Sequence, residues 1–426
     1  MVEQGHTTAV WTQAAAVRLR DSRRRMSTGL LAVLLLVSSA LAVWHCYQNR
    51  HSWTPDAEIY LSMTLQDGGA TFGTALDTSR RFMRDEVRRG NPFKGEGLYT
   101  DDPPRWWVDQ FALFRNRPMY PLICSLLYPV LGPVALRVVS AVAYVLTVVA
   151  MFALLCLVTA PIIAGIGALV FGTEALVLYA GSMPMTDGLA LLFWTCTLGS
   201  VVAFQRRPAS SWLVIIGLAS IALALTRPAF LLPVGAALGA FGAMRRSSRG
   251  ITAAAPLLAT MPAIAIFALY SAAVHGPGVL SQLQWQFASQ SAMHGFGTGH
   301  GPMGWYLSAV LRGAKNVIKL GVPGLGGTTL LLLALLGCIC SWRKCPPVRI
   351  AVASALAIFP ALFVNPVDVD RPLLLPMAPV ILIPAVALVQ QALHGDLVCF
   401  DIGLTSKEHD DSGFVNGLRS KSVRKR

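Results

Sequence analysis

Charge is scarce in this sequence. Asp, Glu, Lys and Arg make up 13% of its 426 residues, where a soluble chain carries about a quarter. With 54% hydrophobic residues and a mean hydropathy of +0.56, a water-soluble globule is excluded. Polar–apolar alternation is also missing from the apolar runs that recur between Leu30 and Leu393, which argues against a transmembrane β-barrel. Runs that cross a hydrocarbon core of ~30 Å without water must satisfy their own backbone hydrogen bonds, so they are helices. No convincing internal repeat is present. No dinucleotide fingerprint set between a strand and a helix appears, and no phosphate-binding P-loop. The eight cysteines form no framework. Cys124, Cys156, Cys196 and Cys338 lie in apolar runs, and Cys46 is alone at the start of a long polar stretch that therefore closes no disulfide of its own.

What charge there is has one predominant sign, with a formal net charge of +14. A basic balance invites a nucleic-acid reading, but the basic residues stand in short clusters between apolar runs. That is the form of a positive-inside topology signal, so no nucleic acid is expected as a partner. The expected fold is an all-α integral membrane protein of about ten transmembrane helices. It begins with a basic cytoplasmic tail (1–27) and a first transmembrane helix (28–45). A long extracytoplasmic loop with juxtamembrane helices (46–118) follows, then a polytopic membrane domain (119–395) and a cytoplasmic tail (396–426). The later spans are expected near 134–159, 161–183, 185–204, 211–226, 228–244, 251–274, 321–342, 349–366 and 372–393. Residues 119–131, "MYPLICSLLYPVL", are apolar but short and are read as re-entrant or interfacial.

With the N-terminus inside, "QRRP" at 205–208, "RRSSR" at 245–249, "RKCPPVR" at 343–349 and the terminal "KSVRKR" all fall in the cytoplasm, as the positive-inside rule requires. The loop 46–118 holds ten Lys or Arg and ten Asp or Glu, and long loops translocate regardless of charge. Asp56, Asp187, Asp368 and Asp370 then share the outer face with Arg227 and Arg371, although none of them entered the assignment of topology.

Several short segments resemble, in order and spacing, the GT-C superfamily of polytopic glycosyltransferases that use polyprenyl-phosphate sugars. They are "PDAEIY" after the first span, "RNRPMYPLICSLLYP" at 115–129, "MPMTDGLALLF" at 183–193, "LTRPAFLLP" at 225–233 and "DRPLLLPMAPVILI" at 370–383. The protein mannosyltransferases, aminoarabinose transferases and actinobacterial cell-wall transferases are the members they look most like, over roughly residues 28–393. The resemblance implies an inverting enzyme of a bacterial inner membrane. A polyprenyl-phosphate-linked sugar would be the donor, and a glycan, glycolipid or protein hydroxyl at the extracytoplasmic face the acceptor. It also implies an acidic catalytic base in the first outer loop, which by position is Asp56.

The residues themselves support a division of labour. Pro55 suits the first turn of a helix, and in that helix Asp56 and Glu58 lie about 200° apart, so one pocket cannot take both. Both also fit the bland reading of first-turn acids favoured by the helix dipole. Glu58, Asp187 and Glu174, the last inside an apolar span, are candidates for acceptor binding or for supporting the base. Candidate cations for the donor phosphate are Arg371, Arg227, Lys315 and Arg312. Arg115 and Arg117 match the family pattern too, and anchoring at the membrane interface explains them nearly as well. Arg312, Lys315 and Lys319 share a helix face, which snorkelling toward headgroups also explains. Asp368 and Asp370 form an Asp-x-Asp pair suited to Mg or Mn, and His294 and His300 stand in a glycine-rich loop. Two rival functions remain open: a polytopic secondary transporter and a lipid-linked glycan polymerase or ligase.

Overall fold

The computed structural model describes residues 3–90, 111, 114–244, 250–276, 304, 306–315, 327–360 and 375–394. Every regular element among them is a helix. α1 (Glu3–Gln48) runs 46 residues without a break and carries the first apolar segment, Met26–Gln48. Val33, Leu36 and Val43 on it are exposed, as expected of a helix with one face toward lipid.

A helical hairpin follows the first span. α2 (Pro55–Asp67) starts where Thr54 is extended and Pro55 pre-sets the helical backbone, with Asp56 and Glu58 in the first turn. It ends at Gly68–Gly69, where Gly69 has φ +94°, a left-handed conformation that favours glycine. Thr71 caps α3 (Phe72–Arg88) by accepting a hydrogen bond from the Thr74 N–H at 3.3 Å. α4 (Met119–Leu131) is 13 residues long, about 20 Å, too short to cross the bilayer. Its Leu122, Leu126 and Val130 are exposed, while Tyr120 and Cys124 are buried.

The bundle proper comprises α5 (Val134–Cys156), α6 (Pro161–Thr173), α7 (Ala175–Ser182), α8 (Asp187–Arg206), α9 (Ser210–Thr226), α10 (Leu231–Met244), α11 (Gly250–Ala273), α12 (Gly327–Ser341), α13 (Pro346–Ile358) and α14 (Leu375–His394). Five segments are long and apolar enough to cross a membrane: those in α1, α5, α8, α11 and α14. A sixth arises if α6 and α7, bent by 64°, count as one span. The described lengths of α9, α10, α12 and α13, 17, 14, 15 and 13 residues, fall short. The expected spans near 211–226, 228–244, 321–342 and 349–366 therefore correspond to shorter apolar helices, and parts of the last two lie outside the described residues. The expected span 161–183 is broken at Glu174, whose backbone is extended (φ −60°, ψ 132°). A break inside an apolar run frees backbone carbonyls, and the Tyr144 hydroxyl donates to one of them, Gly172 O, at 2.7 Å.

Small residues bring the helices together. Gly235 and Gly239 sit four residues apart on α10 against α13. A Cβ on Gly239 would lie 2.8 Å from Ile350 Cα and 2.9 Å from Ala353 Cβ, so this contact exists only because position 239 has no side chain. At the α7–α8 turn, a Cβ on Gly188 would lie 2.8 Å from the Ala180 carbonyl oxygen. That close approach sets the start of α8, and with it Asp187, against the end of α7. A separate apolar cluster, including Ile59, Tyr60, Phe114, Tyr120, Met183 and Met185, seats the α2–α3 hairpin on this end of the bundle.

Candidate functional site

Four of the sequence segments singled out above meet at the end of the bundle that α2 covers. Tyr60 lies one turn beyond Asp56 on α2, so the two residues share a face. The Tyr60 ring is fully buried, and its hydroxyl is 3.1 Å from the Thr186 hydroxyl in the α7–α8 turn. Arg117 Nη1 donates to the same Tyr60 oxygen at 3.5 Å, and the Arg117 guanidinium stacks 4.5 Å above the Phe114 ring. Asp187, beside Thr186, pairs with Arg227, which follows the last residue of α9. Arg227 takes an extended conformation there, and Pro228 prevents the helix from continuing.

The Asp187–Arg227 pair is a buried one: Asp187 is 1% exposed and Arg227 15%. Two charges withdrawn from water in this way hold each other, and losing either removes the ion-pair partner of the other. Asp187 also opens α8, where the helix dipole favours a carboxylate. The ion pair thus fixes the C-terminal end of α9 to the N-terminal end of α8 beside the Tyr60 junction.

Glu58 lies on the other side of α2, as the 200° separation requires. Its carboxylate is fully buried and 3.6 Å from Arg80 Nε on α3. Neither carboxylate oxygen accepts a hydrogen bond from a described residue. Burial pushes this carboxyl up to about 8, with Arg80 and then Arg84 pulling it back. The neutral acid is therefore the major form at pH 7. This is the environment of a contact between α2 and α3.

A second polar cluster anchors the chain as it leaves α1. Glu86 on α3 accepts from the Trp53 indole N–H at 3.1 Å and from Arg89 at 2.9 Å, and lies 3.5 Å from His51 Nδ1. Arg137, near the start of α5, stacks 4.4 Å above Trp53 and donates to Ser52 O at 2.6 Å. These contacts orient the approach to Pro55, and hence the start of the helix that carries Asp56.

The other sequence candidates fall elsewhere. Glu174 occupies the break between α6 and α7. Arg312 and Lys315 are exposed on a helical stretch, 306–315, and form no ion pair with a described residue. Asp368, Asp370, Arg371, His294 and His300 lie outside the described residues. Tyr60, Thr186 and Arg137 were not singled out from the sequence. The i, i+4 spacing from Asp56 is the sequence signal for Tyr60, and a cation inside an apolar run is the signal for Arg137; Thr186 has none. No protein-family model, curated protein or solved structure matches the chain.

Proposed function

We propose that this chain is a polytopic membrane glycosyltransferase. It moves a sugar from a polyprenyl-phosphate donor to an acceptor hydroxyl on the extracytoplasmic face of a cytoplasmic membrane, with inversion at the anomeric carbon. The reading includes the ten-span topology with the N-terminus inside. The observation that carries it is the meeting of "PDAEIY", "RNRP", "MPMTDG" and "LTRP" at one end of the bundle, through Tyr60, Arg117, Thr186 and the Asp187–Arg227 pair. These segments are spread over some 170 residues of sequence, and they are four of the five on which the resemblance to the GT-C superfamily rests; the start of the fifth, at 370–374, lies outside the described residues.

In this mechanism the acceptor oxygen attacks the anomeric carbon and the bond from that carbon to the phosphate oxygen breaks. The phosphate leaves with the electron pair. The Asp56 carboxylate takes the hydroxyl proton as general base. Charge grows on the departing phosphate, and a cation near it lowers the barrier. Arg117, held by Phe114 and Tyr60, serves that purpose more directly than Arg227, whose charge is already matched by Asp187. Tyr60 and Thr186 keep the Asp56 face of α2 on the bundle end.

The test is transfer from labelled polyprenyl-phosphate mannose, arabinose, galactose and glucose by membranes carrying wild type or Asp56→Asn. The amide has the size of the carboxylate but cannot take the proton, so transfer falls by about 10²–10⁴. Unchanged transfer by Asp56→Asn would remove the base assignment. A second reading, a secondary transporter, draws on the broken span at Glu174, because discontinuous helices line substrate paths in such proteins. Uptake or efflux by reconstituted vesicles, lost in Glu174→Gln but kept in Asp56→Asn, would favour it.

A further inference from the structure

Asn116 stands between the two arginines of "RNRP", and it is fully buried. Neither its amide nitrogen nor its amide oxygen has a hydrogen-bond partner among the described residues. A buried primary amide with both functions unmet is costly, and folded proteins rarely keep one without a purpose. The next residue is Arg117, whose guanidinium reaches the Tyr60 hydroxyl while its buried Nε is likewise unmatched. No carboxylate lies within ion-pair range of Arg117 among the described residues. Gly276, just past the end of α11, lies against Asn116: a Cβ there would lie 3.2 Å from the Asn116 Cβ. His275 before it adopts φ +50°, a left-handed conformation that turns the chain back at this point. The Gly276 N–H returns to Ser271 O at 2.7 Å to close the turn.

An amide offers one acceptor oxygen and two N–H donors side by side. That set matches a hydroxyl, or a vicinal pair of hydroxyls, which donates and accepts at once. Beside it stands a guanidinium with no ion-pair partner among the described residues, suited to phosphate. From this arrangement we infer that Asn116 is a sugar-binding residue that hydrogen-bonds ring hydroxyls of the donor while Arg117 faces the phosphate next to the anomeric carbon. The inference rests on the reading of the chain as a polyprenyl-phosphate sugar transferase, and it adds the residue that discriminates between sugars. Asn116 has a neutral side chain and takes no proton from the acceptor. It acts on binding and on the choice of sugar, and the proton transfer stays with Asp56.

The experiment uses the full-length protein purified in detergent, with Asn116→Leu and Asn116→Ala. Melting temperature is measured without donor. Transfer kinetics are then measured with polyprenyl-phosphate mannose, arabinose, galactose and glucose. The expected result is a melting temperature equal to or above wild type, because no hydrogen bond to a described residue is lost. KM for the preferred donor rises about tenfold or more, and the ratio of kcat/KM between the best and second-best sugars shrinks. A fall in melting temperature in both variants, with sugar preference unchanged, would show the amide to be structural and overturn the inference. So would a wild-type KM in either folded variant, which leaves the transferase reading intact. Failure of the wild type to transfer from any of the four donors overturns the transferase reading and this inference with it.

Discussion

Glu58→Gln probes the one acid of "PDAEIY" that is fully buried, Asp56 being only partly so. Glu58 is fully buried, and burial raises its carboxyl from 4.5 to about 8. A group whose acid form is favoured by folding keeps its proton in the native state while the unfolded chain loses it. Stability is therefore highest below pH 4.5, falls as pH rises through the window from 4.5 to about 8, and levels off above it. Integrated between pH 5 and pH 8, that loss is about 4 kcal/mol, an order-of-magnitude figure. Glutamine copies the shape of the neutral acid and does not titrate. The assay is the unfolding midpoint of the purified protein in detergent at half-unit steps from pH 5 to pH 8.5. Wild type should lose stability across this range, Glu58→Gln should lose much less, and the two should converge toward pH 5. The variant should also keep sugar transfer, because Glu58 faces α3. Parallel pH profiles for the two proteins would refute the buried neutral-acid assignment. Loss of transfer in a stable Glu58→Gln would move the base from Asp56 to Glu58.

Two further predictions concern the frame that holds the site. Asp187→Ala and Arg227→Ala should each cost about 3–5 kcal/mol by breaking a buried ion pair. The double variant should cost well under the sum, and strict additivity in a double-mutant cycle would deny the pair its coupling. At the α10–α13 contact, Gly239→Leu should destabilise by about 1–3 kcal/mol or more, since the neighbours at 2.8 and 2.9 Å are Ile350 Cα and the short Ala353 side chain. Leu at Gly242, where a Cβ meets nothing within 4 Å, is the control. Equal unfolding midpoints for the two would show that the close contact is not needed.

Much of the framework was readable because it depends on neighbours along the chain. Pro55 with two following acids marked the start of α2, and the 100° step per residue sent Asp56 and Glu58 to different sides. The brevity and prolines of "MYPLICSLLYPVL" set α4 apart from a span, and its 13-residue length agrees. Span counting went further than the described helices support, because apolar composition does not distinguish a full crossing from a short helix packed in the bundle. The 64° break at Glu174 is accompanied by the hydrogen bond from Tyr144, a residue outside 161–183, to the Gly172 carbonyl.

The sequence by itself determined the solvent this chain is built for, its helical character and the segments worth examining, because hydropathy, periodicity and turn chemistry are local. Only the tertiary structure decided which of those segments meet. Tyr60 and Thr186 are 126 residues apart, and Glu58 finds Arg80 across a hairpin. The Asn116 amide, unmet among the described residues, is buried only once distant parts of the chain such as the turn at Gly276 have packed against it. Burial, the cost of an unmet hydrogen bond and the shift of a carboxyl toward neutrality arise from groups brought together in space, and a linear pattern does not carry them.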